Sequence, residues 1–260
     1  MTDILEHTAD GIARLTLNRP ERLNGLTASL CAALRDCLTH AAADTSVRCV
    51  LLTGGGRAFS SGQDLADIDI DGPKPRAIRD IIDQDINPVV RLMRGIDKPV
   101  VCAVNGVAAG AGANIALAGD IVIATASARF VQAFRQVGLM PDGGGTWLLP
   151  RLAGPARALG MAMLGEPVSA KTAEAWGLIW KCVDDDAFDE TVEDVCRRLA
   201  DGPTTALALA KRAIAVSGAN SLEAQLDLER DFQAAASATG DYQEGVRAFL
   251  AKRKPRFEGR

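Results

Sequence analysis

Residues 98–120 read KPVVCAVNGVAAGAGANIALAGD, and the parsing of this stretch decides the fold. Val100 to Val104 is a β-branched apolar run, the composition of a strand buried on both faces. It is followed by Gly106 and by Gly110-Ala111-Gly112, then by an Ala-rich apolar segment from Ala113 to Ala118. The parse is strand, glycine turn, helix. Glycines let a backbone approach a ligand closely, and the free N–H groups of a helix start favour an anion there. That anion can be one that exists only in a transition state. A tight βα turn with no ligand is the other reading that this stretch leaves open.

Two further readings fail. Val100 to Ala124 is apolar enough to invite a membrane span, but Asn105, Asn114, Asp120 and repeated glycines interrupt it. A dinucleotide-binding fingerprint needs a third glycine three residues after the second, and Gly112 is followed by Ala113, Asn114 and Ile115.

Outward from this stretch, strand and helix signals alternate. Ile12 to Asn18 reads as a strand, and Thr27 caps a helix through Leu30, Leu34 and Leu38. Val47 to Thr53 is a buried strand leading into the glycine-rich loop GGGRAFSSGQDL. Asp64, Asp67, Asp69 and Asp71 follow at near-alternate positions, but the Gly and Glu that close a calcium loop are missing, so a solvated loop is expected. Arg76 to Met93 reads as an amphipathic helix, Asp120 to Ala124 as a strand, and Gly143-Gly144-Gly145 again precedes a helix-like run. Pro155 to Leu164 and Ser169 to Trp176 are short helices, and Ile179 to Val183 is the last strand expected. Beyond Asp186 the pattern is wholly helical. Alternation followed by helices alone predicts a parallel α/β core, residues 1–202, and a helical C-terminal region, residues 203–260.

Composition narrows the chemistry. The chain has 260 residues, 48% of them hydrophobic, 24% charged, with a net charge of −4, which suits a globular protein and argues against a nucleic-acid footprint. No basic segment followed by an apolar one opens the sequence, so no signal peptide is expected and the cytoplasm is the expected compartment. Six scattered cysteines with no C-x-x-C pair fit reduced thiols rather than disulfides or zinc. With only His7 and His40, a histidine triad or metal cluster is improbable, and no G-x-S-x-G occurs. Catalysis must come from carboxylates, amides and backbone.

The elements RPERLNGL (19–26), AFSSGQDL (58–65), NGVAAGAGANIALAGD (105–120) and PDGGGTWLLPR (141–151) occur in this order. Together they resemble the enoyl-CoA hydratase/isomerase (crotonase) superfamily over essentially the whole chain. The resemblance implies a spiral of ββα turns, a helical trimerisation region, trimers that pair into hexamers, and a coenzyme A thioester as substrate. It implies no cofactor apart from the coenzyme A carried by the substrate, no metal, and neither nucleic acid nor membrane as partner. Carried over residue by residue, it places the oxyanion hole on the backbone N–H groups of Gln63 and Ala111. Ser61, Gln63 and Leu65 match positions enclosing the adenine, and Arg22 matches one meeting the phosphates. Asn24, Gly62, Asp64 and Gly110 complete the binding loops. Phe249 and Lys252 match a pair that reaches a neighbouring subunit's coenzyme, although a basic segment of this kind also reads as a solvated face.

The departures from the pattern carry the sharper expectation. The two glutamates that position water in a hydratase are replaced by Asn114 and Phe134. Neither is a general base, so simple hydration is not expected. Asp142 is the motif carboxylate that remains. It is either a helix N-cap over Gly143 to Thr146 or a proton shuttle whose pKa is raised by apolar surroundings. One carboxylate and an oxyanion hole suit proton transfer. NGVAAGAGA, MPDGGGTWLLPR, AWGLIW and QLDLERDFQ look closest to the phenylacetate-degradation branch, which isomerises ring-1,2-epoxyphenylacetyl-CoA to an oxepin thioester. A plain Δ3,Δ2-enoyl-CoA isomerase, an acyl-CoA hydrolase or dehalogenase, and a non-catalytic thioester-binding relative are the alternatives.

Overall fold

The computed structural model describes residues 2–68 and 76–260. Asp69 and Asp71 of the acidic loop lie outside the described residues. Strands β1 (Ile4–Ala9) and β2 (Ile12–Leu17) form an antiparallel hairpin turned at Asp10-Gly11. Helix α1 (Ala28–Ala43) starts at Thr27, whose hydroxyl accepts the Leu30 N–H, and it buries Leu30, Leu34 and Leu38 as the spacing predicts.

From there the chain repeats one motif: a strand in a large sheet, a short strand in a small sheet, and a helical segment. The first turn is β3 (Cys49–Gly54), β4 (Ala58–Ser60) and the helical run α2 (Ile78–Ile81) and α3 (Asn87–Gly95), joined by a π-helical turn at Ile82–Ile86. The second is β5 (Val100–Val104), β6 (Val107–Ala109) and α4 (Gly110–Leu117). The third is β7 (Ile121–Thr125), β8 (Arg129–Val131), a 3-10 turn at Ala133–Val137, then α5 (Gly145–Ala153) and α6 (Pro155–Leu164). A last, partial turn holds β9 (Val168–Ser169), α7 (Ala170–Ala175) and β10 (Lys181–Val183). The large sheet runs β1-β2-β3-β5-β7-β10, parallel from β2 onward, and the small sheet runs β4-β6-β8-β9. This is the spiral of ββα turns that the resemblance implies.

Alternation along the central strands divides the core. Leu15, Val50, Leu52, Cys102 and Val104 face the interior of the spiral. Ile12, Cys49, Leu51, Val101 and Ala103 face the other way and are covered by Phe188, Val192, Cys196 and Ala200 of α8 (Phe188–Ala200). Among the described residues all six cysteines are free thiols, four of them buried.

Helices α9 (Thr204–Ser217), α10 (Leu222–Ser237) and α11 (Gly240–Leu250) complete the chain. α9 is pinned by Lys211, whose Nζ donates to the Met93 and Lys98 carbonyls and lies 2.7 Å from Asp120. Residues 257–260 fold back. Arg48, just before β3, donates to the Phe257 carbonyl at 2.7 Å, and the buried Asp241 carboxylate accepts the N–H groups of Glu258 and Gly259. α10 buries no residue, and Ile214, Leu222 and Leu226 are 73%, 71% and 49% exposed. Among the described residues no helix is long and apolar enough to cross a membrane.

Candidate active site

Three consecutive loops meet at one end of the spiral. The N-terminal loop is held by Asn24, which is fully buried: its amide donates to the Gly55 and Ala58 carbonyls and its oxygen accepts the Arg19 N–H. Every polar atom of Asn24 is thereby engaged within the chain, so it builds the loop and offers nothing to a ligand. Asp64 is likewise occupied, paired with Arg19 at 3.0 Å and accepting the Ala66 N–H.

Leu26 then pairs with Gln63 in a single parallel bridge: the Leu26 N–H goes to the Gly62 carbonyl and the Asp64 N–H to the Leu26 carbonyl. In such a bridge the N–H of Gln63 itself points away from Leu26. Gly62 sits on that far side, where a Cβ would lie 2.7 Å from the Ala109 carbonyl and 3.4 Å from the Ala111 nitrogen. No side chain fits at this crossing, and φ of 85° is unfavourable for any residue but glycine. Ala111 is the second residue of α4, so its N–H has no acceptor within the helix. The backbone at Gly62-Gln63 thus lies close to the Ala111 nitrogen, as the expected oxyanion hole requires. The helix starts at Gly110, three residues earlier than the Ala-rich segment, because β6 occupies only Val107–Ala109.

Around the pair, Ser61 and Gln63 are half-buried, Arg22 is exposed and Leu65 is 54% exposed, consistent with a loop facing a solvent-borne ligand. Phe134 is buried with its ring edge over Gly110, where a Cβ would meet Cζ at 3.8 Å. It contributes an apolar wall and no acid or base. Phe249 is 83% exposed on α11, and Lys252 follows that helix in a left-handed conformation.

Asp142 precedes α5. The cap of that helix is Gly144, with φ of 82° and no side-chain cap bond, so the N-cap reading of Asp142 is not what the structure shows. Its main-chain carbonyl accepts the Gly145 N–H and the side-chain amide of Asn114, each at 2.8 Å. Its carboxyl has one oxygen, Oδ1, buried without a hydrogen-bond partner among the described residues. Burial pushes the Asp142 carboxyl up to about 6, only partly opposed by its own backbone N–H. A carboxyl so placed is a base near neutrality that can hold and return a proton.

Asn114 has no exposure, and sequence alone does not disclose its partner. Gln132 Nε2 donates to Asn114 Oδ1 at 2.9 Å, while Gln132 Oε1 is left buried with no donor among the described residues. Leaving a buried acceptor unpaired costs about 1–3 kcal/mol. Gln132 carried no motif signal and was missed. Among the described residues there is no group of three side chains able to hold a metal ion.

Residues 7–260 match the family described as enoyl-CoA hydratase/isomerase. The chain belongs to the enoyl-CoA hydratase/isomerase family. Its similarity to the 1,2-epoxyphenylacetyl-CoA isomerase of Escherichia coli K12 is 53% identity over 262 residues, covering 100% of both chains. A protein described as "Probable enoyl-CoA hydratase" from Rhodobacter capsulatus is 45% identical over 252 residues, 97% of this chain and 96% of that one. The enoyl-CoA hydratase crystal structure from Bacillus anthracis superposes with a TM-score of 0.93 at 30% identity, covering 99% and 100% of the two chains. Hydratases and isomerases of the enoyl-CoA hydratase/isomerase family therefore share this frame, and the side chains facing the paired N–H groups must separate them.

Proposed function

We propose that this chain isomerises acyl-CoA thioesters by proton transfer, with ring-1,2-epoxyphenylacetyl-CoA as substrate and the oxepin thioester as product. The observation that carries it is the half-buried Asp142 carboxyl, its Oδ1 covered and without a hydrogen-bond partner among the described residues, and pushed up to about 6, in a site where the other two positions that the resemblance makes catalytic hold Asn114 and Phe134. The carboxylate takes a proton from the carbon next to the thioester carbonyl. The electron pair moves onto the thioester oxygen, where the N–H groups of Gln63 and Ala111 receive it. Each such donor contributes about 3–4 kcal/mol to the transition state. For the ring epoxide, the carbon–carbon bond shared by the epoxide and the six-membered ring also opens, its electron pair joining the conjugated system of the seven-membered oxepin. The protonated Asp142 returns the same proton to a carbon further along that system, so no atom is gained or lost. The same cycle moves a Δ3 double bond to Δ2. Similarity to the Escherichia coli isomerase favours the epoxide substrate among those this chemistry admits.

Coenzyme A enters with the substrate, its adenine against Ser61, Gln63 and Leu65 and its phosphates near Arg22. The exposed apolar faces of α9 and α10 support a homotrimer, or a hexamer of two trimers, in which Phe249 and Lys252 reach the neighbouring coenzyme.

The deciding experiment is Asp142→Asn, assayed with Δ3-enoyl-CoA and the ring epoxide beside a binding measurement with a non-reactive acyl-CoA. The expected outcome is loss of both isomerisations with binding retained. Near-wild-type turnover would refute Asp142 as the proton carrier.

A further inference from the structure

We propose that Gln132 and Asn114 act as a two-residue clamp that positions the Asp142 carboxyl for proton transfer. This rests on the reading of Asp142 as the proton carrier.

The directions of the hydrogen bonds reveal which end controls the pair. A main-chain carbonyl can only accept, so Asn114 must turn its amide nitrogen toward Asp142, at 2.8 Å. That leaves Asn114 Oδ1 facing Gln132, which must present its own nitrogen, at 2.9 Å. Gln132 Oε1 is thereby stranded without a donor among the described residues. Reversing the Gln132 amide would set two oxygens against each other. The orientation of both side chains is therefore dictated from the Asp142 carbonyl, and the stranded acceptor is tolerated at the remote end. Buried polar groups left unpaired in this way mark a demand elsewhere in the molecule.

Packing fixes the same turn from other sides. Gly145 abuts the Asn114 amide, where a Cβ would lie 2.4 Å from Nδ2. Ile86, the last residue of the π-helical turn, lies 3.2 Å from where a Cβ on Gly143 would sit. Ala111 and Asn114 are three residues apart and share a face of α4. One rigid helix thus carries an oxyanion N–H on its first turn and the grip on Asp142 one turn later. Glutamate at position 114, the hydratase arrangement by resemblance, would when ionised face the Asp142 carbonyl with only acceptors and could not make this grip. The position that serves water in one chemistry serves the proton carrier in the other.

The test uses the full chain and Δ3-enoyl-CoA, with kcat and KM measured over about pH 5–9 for wild type, Gln132→Met and Asn114→Ser. Methionine keeps the volume of glutamine and removes the donor. A loosened carboxyl loses its near-attack placement, worth on the order of 10²-fold for a shift of about 1 Å. The expected result is a fall in kcat of about 10- to 100-fold, KM within about twofold, and an acid limb displaced toward the ordinary carboxylate range as the carboxyl reaches water. Loss of thermal stability with unchanged kcat and an unmoved acid limb would overturn the clamp and leave Gln132 as packing. Should Gln132→Met not fold, Asn114→Ser, which removes atoms and overfills nothing, carries the same decision. An inactive Asp142→Asn beside fully active clamp variants removes the clamp alone; an active Asp142→Asn removes the proton carrier as well.

Discussion

Gly145 faces Asn114 so closely that a methyl on its Cα would lie 2.4 Å from Nδ2 and 2.8 Å from Cγ of the amide. Gly145→Ala must then push Asn114 off the Asp142 carbonyl or shift the start of α5. Overpacking of this kind costs about 1–3 kcal/mol. Displacement of the turn lowers kcat by on the order of 10- to 100-fold. Thermal unfolding and the isomerisation assay check both, and a variant unaltered in each would contradict the described packing.

The acid limb of the rate profile reports on Asp142. Its deprotonated form is the base, and burial pushes the carboxyl up to about 6, so kcat/KM in free enzyme rises with pH through about 6 and levels above it. A limb near pH 4 would show a carboxyl in contact with water.

The same group makes stability depend on pH. The folded value lies above the ordinary carboxylate value of about 3.9, so the folded state binds the proton more tightly than the unfolded chain. Its contribution to stability is complete below about pH 4 and is lost as pH rises through about 6. Asp142→Asn, which cannot ionise, should therefore gain on wild type by roughly 2–3 kcal/mol between pH 4 and pH 7. Denaturant unfolding at those two pH values measures the difference, and a gap that shrinks as pH rises would reverse the assignment.

Crotonyl-CoA should bind and hydrate very slowly. General base catalysis supplies about 10²–10⁴-fold per group, and neither Asn114 nor Phe134 provides it. Loss of the conjugated thioester absorbance, followed beside Δ3-enoyl-CoA isomerisation, decides the point. Hydration as fast as isomerisation would refute the proton-transfer reading.

Lys211→Met should loosen α9 from the sheet. Burial pushes Asp120 above and Lys211 below their ordinary values, and each holds the other charged across 2.7 Å. Removing one partner of a buried pair leaves an uncompensated charge at a cost of about 3–5 kcal/mol. Chemical denaturation measures the loss, and a variant as stable as wild type would contradict the pairing described.

The large sheet was legible because its inner strands are buried on both faces and read as β-branched runs, as in Val100–Val104. The small sheet was not: Ala58–Ser60, Val107–Ala109 and Arg129–Val131 are three residues each, too short for any period to show. Ile4–Ala9 escaped because His7 and Glu6 break its apolar pattern; it is an edge strand with four exposed residues. The long helix expected over Arg76–Met93 starts at Ile78 and contains a π-helical turn that no residue spacing announces. Sequence brought Asp142 to two readings, and only its burial and the glycine cap at Gly144 separate them. Gln132, a lone polar residue ahead of an irregular turn, offered no signal, since its partner is 18 positions away.

The single bridge between Leu26 and Gln63 has a consequence for how this scaffold changes hands between reactions. The hydrogen bonds that stitch it come from residues 22–26 and from Ser60, none from the segment 130–145 that carries Phe134 and Asp142. The backbone that carries the Gln63 N–H is thus built apart from the segment that carries Asp142, whereas Ala111 shares α4 with Asn114, which holds the Asp142 carbonyl. A substitution at Phe134 or Asp142 therefore leaves the hydrogen bonds around Gln63 in place, whereas one at Asn114 reaches the helix that holds Ala111.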